Sequence, residues 1–146
     1  MEEVQNDNEQ KKEYLKRYRI ARRREQQILE EIQKLRMDKM FPSLAIDGMP
    51  KGSNQCDLSD YAAAIDHQLE LLKKERLQRI RIYGEIEQQI RSMTDEEERE
   101  ILRLRYIEGR KWEKVAAEMG YSWKQIHRIH ARALMHFVLP KKDDIE

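Results

Sequence analysis

Residues Trp112 to Phe137, WEKVAAEMGYSWKQIHRIHARALMHF, decide how this chain is read. They divide into two helical segments around a turn. In the first, Val115, Ala116 and Met119 share an apolar face, and Gly120 stands where a left-handed backbone ends a helix at least cost. Ser122 is suited to cap the second segment. Ile126, Ile129, Ala133, Leu134 and Phe137 recur at three- and four-residue spacing, which predicts one buried face. A small residue four before the turn glycine, with Ile six after it, is the packing signature of a helix-turn-helix. Ala116 lets the two helices approach, and Ile126 fills the angle between them. That pairing turns Trp123, Lys124, Gln125, His127 and Arg128 outward, near the start of the second helix. Side chains there reach base edges when such a helix enters a major groove.

Charge separates this reading from an inert helical hairpin. From Arg110 to Lys142 the chain carries eight Lys or Arg against Glu113 and Glu118, a local balance of +6 in a chain whose total is +1. The near-neutral total alone would not suggest nucleic acid, but the blocked placement does. The expected partner is double-stranded DNA. Lys111, Lys114 and Arg132, with Ser122 and the backbone amides at the start of the recognition helix, are the expected phosphate contacts. Lys124, Gln125, His127 and Arg128 are the expected base readers, since Arg suits guanine and Gln suits adenine. Trp123 has two readings: it packs under the preceding helix, or it contacts DNA beside them.

These residues also carry a resemblance. Glu96 to Phe137, EEEREILRLRYIEGRKWEKVAAEMGYSWKQIHRIHARALMHF, resembles region four of bacterial sigma factors, the module that reads the −35 promoter element. EREILRLRYIEG is similar to the helix preceding that family's helix-turn-helix, and GYSWKQIHRIHARAL is similar to its turn and recognition helix. The likeness implies a three-helix fold, DNA binding, and RNA polymerase as a further candidate partner. Principal members of the family have Arg and Glu where this chain has Trp123 and Lys124. The fold therefore carries over, and the −35 preference does not.

Upstream, the expected organisation is a long helical hairpin over residues 10–93, after a frayed tail at 1–9. Tyr14, Tyr18, Ala21, Glu25, Ile28, Ile32 and Leu35 alternate by four and three, a heptad seam with one charged member. Eight basic residues against Glu13 crowd Lys11 to Arg24, read as a solvated face or a second phosphate-contacting surface. Phe41 to Asp57 gathers Pro42, Pro50, Gly48 and Gly52 into a loop. Beyond a cap at Asp57 or Ser59, Leu58, Ala62, Ile65, Leu69, Leu72, Arg76, Arg79, Tyr83, Ile86, Ile90 and Met93 keep the same alternation. An antiparallel fold-back about the 41–57 loop predicts that Glu25 meets Arg76 or Lys73. The segment DGMPKGSNQCDLSDYAAAID is similar to the linker of small phage and prophage late-gene regulators of the ArpU and RinA type.

The expected helix-turn-helix domain spans 94–138, with Thr94 and Glu97 forming a capping box at its start and a disordered tail over 139–146. The fold class is all-α: an antiparallel, coiled-coil-like hairpin followed by a three-helix DNA-binding domain. No enzymatic site is expected, since no Gly-rich phosphate loop follows a strand and no strand is evident. His127 and His130 have a metal-sharing spacing, but no carboxylate or cysteine stands close in sequence, so neither a metal nor a cofactor is expected. Cys56 alone excludes an internal disulfide. With no apolar run of membrane length, the expectation is a soluble, cytoplasmic protein. The hairpin seam predicts a homo-oligomer, because regular heptads leave apolar surface for a second copy. The sequence-level function is transcription control by a phage or prophage regulator. A small terminase subunit and an RNA-polymerase-binding module with weak DNA affinity are the alternatives. Nothing in the first ninety residues resembles the module with which a whole sigma factor melts the −10 element.

Overall fold

The structure is a computed structural model describing residues 2–40 and 54–141. Residues 41–53 of the expected loop and 142–146 of the expected tail lie outside the described residues. The described chain is helical, in the order α1 (Glu2–Met40), α2 (Asn54–Arg91), α3 (Glu96–Leu102), α4 (Trp112–Met119) and α5 (Trp123–His136), with a π-helical turn over Arg103–Ile107 extending α3. Helix α1 starts at Glu2, where fraying was expected. Its first turn places Glu2 and Glu3 at the positive end of the helix dipole, and Asp7–Lys11 and Glu9–Lys12 add pairs within the helix at 3.2 and 3.0 Å.

Contacts divide the chain into two units, residues 21–79 and residues 1–20 together with 80–146. Helices α1 and α2 contribute to both. In the first unit they run antiparallel: the Lys39 ammonium lies 5.2 Å from the Tyr61 ring centre, and Arg76 donates to Glu25 at 2.9 Å. The predicted meeting of Glu25 with Arg76 is therefore present, with Arg79 as a second donor in place of Lys73. Burial pushes the Glu25 carboxyl up, but the hydrogen bonds from Arg76 and Arg79 outweigh it and hold the group below its ordinary value. Ala21, Ile32 and Leu72 are also buried in this unit. Leu58 and Leu69, expected in the seam, are exposed, because two helices alone cover only a narrow stripe.

The second unit builds a wider core. Tyr14 lies against Glu85 and Tyr18 against Tyr83, again antiparallel. Leu15 and Ile82, outside the expected seam, are buried with Ile86 and Ile90, whereas Tyr83 is partly exposed. The seam widens here because α1 meets the C-terminal helices as well as α2: the Tyr14 ring contacts Phe137 at 6.0 Å between centroids. The cap of α3 is Asp95, whose side chain accepts from the Glu98 amide at 3.1 Å, instead of the expected Thr94. Two capping frames one residue apart compete, and the later one wins. The π-helical turn buries both Leu104 and Tyr106, and Gly109 closes it at φ 70°. Arg103 ties the turn to α2 by donating to Glu87 at 2.9 Å.

Candidate nucleic-acid interface

Helices α4 and α5 form as the residue pattern dictates. Gly120 adopts φ 71°, and its amide and that of Tyr121 donate back to the last turn of α4. Ser122 then opens α5 with a full capping box: its hydroxyl accepts from the Gln125 amide at 3.2 Å, and Gln125 Oε1 accepts from the Ser122 amide at 3.0 Å. Ala116 is buried where the helices approach, and Ile126 is wholly enclosed between them. Val115, Ile129, Ala133, Leu134 and Phe137 complete the buried face.

Two buried polar groups fix α5 from outside the motif. Glu98 on α3 is enclosed, and both its oxygens lie 2.8 Å from His136 Nδ1, while Arg132 donates to it at 3.0 Å. Lys11 of α1 is also buried, and its ammonium donates to the Leu134 carbonyl at 2.8 Å and to that of Met135 at 3.4 Å. A cation there satisfies carbonyls the helix leaves unpaired and complements the negative end of its dipole. Sequence reasoning missed both. Glu98 reads as one more acid in a helix's first turn, and Lys11 as one of a basic run.

The expected site residues do not share one environment. Lys124, Gln125 and Arg128 are exposed on α5, and Trp123 is 56% exposed, standing away from the preceding helix. Gln125 has its carbonyl oxygen engaged in the capping box. His127, expected among the outward residues, is half-buried between two indoles, 5.0 Å from Trp112 and 4.4 Å from Trp123 between ring centres. Its position turns it toward Trp112, one step round the helix from Arg128. Arg132 is held by Glu98, with Glu97 at 3.9 Å, and Arg110 by Glu108 and Glu118. Lys111, Lys114, Lys124 and Arg128 are exposed and carry no ion pair among the described residues. Pairing thus concentrates the unbalanced positive charge at the starts of α4 and α5.

Behind this surface, Trp112 organises a ring cluster. It meets His130 edge-on at 4.5 Å, and the Arg105 guanidinium lies 4.8 Å from its ring centre. Tyr106 and His130 share a hydrogen bond of 2.7 Å. Burial, aided by Lys12, His127 and Arg105, pushes His130 down to about 3, so its ring is neutral at physiological pH. Burial likewise pushes Tyr106 up to about 12. No group of three or more His, Cys, Asp or Glu among the described residues is arranged to hold a metal ion.

Residues 95–136 match the family model for Sigma-70, region 4. This stretch is a sigma region-four-like helix-turn-helix, a DNA-binding domain of the transcription-regulator kind. The match spans the capped start of α3, the π-helical turn, α4 and all of α5. Neither a curated protein nor a solved structure gives a match. No helix among the described residues is long and apolar enough to cross a membrane.

Proposed function

We propose that the protein is a sequence-specific DNA-binding regulator of transcription that serves phage or prophage late genes in the cytoplasm. The observation carrying this reading is the coincidence of the region-four match with a surface where Lys111, Lys114, Lys124 and Arg128 have no internal counter-charge. Lys124 and Arg128 read bases, with Trp123 packing against the groove wall beside them and the Gln125 amide group adding a donor. Lys111 and Lys114 hold phosphates. Ser122 acts through the amides it orients, and Arg132 reaches DNA only by leaving Glu98. His127 supports the Trp123 ring from behind. The DNA-binding domain runs from 94 to 138, and residues 10–93 supply a dimerisation stem whose exposed Leu58, Leu69 and Leu77 meet a second copy. RNA polymerase is the second partner of this reading, supported by the likeness to region four.

Arg128→Ala tests this reading. It should cost about 1–3 kcal/mol at the best site in a randomised duplex library and relax preference at one base position. Unchanged affinity and preference would overturn the docking geometry.

A further inference from the structure

Lys12 and Lys16 stand one turn apart on α1 and so share a face. They line a cleft of about 190 Å³ together with Arg105 from the π-helical turn, Trp112 from α4, and His127 and His130 from α5. Arg19, one turn further along α1, lies beside Gly109 at the end of the π-helical turn and, after burial, is the main influence holding Arg105 below its ordinary value. Four cations therefore gather here. Among the described residues Lys16, Arg19 and Arg105 have no carboxylate partner, and Lys12 has only the exposed Glu9 at 3.0 Å. Like charges brought together with a single exposed carboxylate to offset them repel, and an anion entering the cleft relieves that cost.

Two further observations favour a ligand. His127 Nε2 is buried and has no hydrogen-bond partner, leaving an unused polar atom in a residue that lines the cleft. The rings of Trp112, His127 and Trp123 run continuously from the cleft to the exposed face of α5. The cleft is thus the flank of the proposed DNA-reading surface.

The geometry points to this cleft as a phosphate site filled by the DNA backbone beside the groove that α5 enters, so that α1 extends the DNA contact beyond the helix-turn-helix. This inference rests on the DNA-binding reading. It gives the basic face of α1 a task, and the ligand chemistry is a phosphodiester. A free phosphate would satisfy the same cations but would not need an opening continuous with α5.

The test uses the full chain and fluorescence anisotropy of labelled duplex over a salt series. Lys12→Gln/Lys16→Gln should make the slope of log affinity against log salt shallower by about one, which is a loss of about tenfold at 0.1 M salt, on specific and random duplexes alike. Lys12→Arg/Lys16→Arg should restore the slope. Lys34→Gln/Lys74→Gln, removing equal charge from exposed positions in the 21–79 unit, should leave it unchanged. Equal effects of the two Gln pairs would overturn the cleft in favour of net charge. An unchanged slope for Lys12→Gln/Lys16→Gln, with Arg128→Ala still impaired, would overturn the cleft alone. Calorimetric binding of inorganic phosphate that needs Lys12 and Lys16, with no change in the DNA slope, would assign the site to a free phosphate instead. Absence of any duplex binding by the unaltered protein at low salt would overturn the DNA-binding reading and this inference with it.

Discussion

The two units of this chain hold together by different means. The ten largest fully buried side chains, among them Phe137, Leu15, Ile126 and Leu134, all belong to the unit formed by residues 1–20 and 80–146. Among the described residues of 21–79 the buried set is Ala21, Ile32, Leu72 and the carboxylate of Glu25. One unit is specified mainly by apolar shape, with Glu98 and Lys11 fixing α5 within it, the other by a charge meeting two guanidinium groups across a narrow stripe. Interlocked apolar groups contribute stability and position together. A buried carboxylate contributes position with little stability, since desolvation offsets most of the attraction.

The sharpest way to break that contrast is to remove a ring from the apolar unit. Phe137→Ala should cost about 3–5 kcal/mol in denaturant unfolding, because the site is enclosed by α1 and α5 and cannot collapse. A loss under about 1 kcal/mol would mean the unit is loosely packed after all.

Acid should separate the units next. His130 has a folded value of about 3, below its ordinary 6.5, so the unfolded chain binds the extra proton. Stability from keeping it neutral is full above about 6.5 and is lost as pH falls toward about 3. Between pH 7 and pH 5 that amounts to about 2 kcal/mol. Glu25 is also depressed, but its contribution is present above the ordinary carboxylate value and disappears only as pH falls through the folded one. Denaturation followed by indole fluorescence reads the unit formed by residues 1–20 and 80–146, since Trp112 and Trp123 both lie there. Equal midpoints at pH 7 and pH 5 would show that His130 protonates without unfolding.

The smallest effect on stability belongs to Glu25→Leu. Arg76 and Arg79 both retain contact with water, so they resolvate when the carboxylate is lost, and stability should stay within about 1 kcal/mol. What should change is uniqueness: sedimentation velocity is expected to show additional oligomeric species, because the stripe loses its one polar mark of register. A single unchanged species, or a loss above about 3 kcal/mol, would return the hairpin to the same class as its neighbour.

Much of this was legible because it is local. Gly120, Ser122 with Gln125, Ala116 and Ile126 lie within eleven residues and carry turn, cap and packing in their own chemistry. The meeting of Glu25 with Arg76 was legible for another reason: helical rise makes register a matter of counting from the loop. Lys11 and Glu98 were not, since their partners stand 123, 34 and 38 residues away and no periodicity relates them. His127 was read as outward from its place between Ile126 and Arg128. Only the position of Trp112, set by the π-helical turn, reveals that an indole waits on that side. The capping frame of α3 failed for a third reason, because Thr94 and Asp95 are chemically near-equivalent starts.

The bond from Lys11 to the Leu134 carbonyl carries a consequence for how the protein comes into being. A nascent chain emerges amino end first, so Lys11 is exposed long before Leu134 is made. Helix α1 is free to pair with α2 during that interval, but the ammonium group that will close the recognition helix has no acceptor yet. The helix-turn-helix unit is therefore finished only once Leu134 has been made, and a product stopped before Leu134 carries the basic helix without the element it steadies.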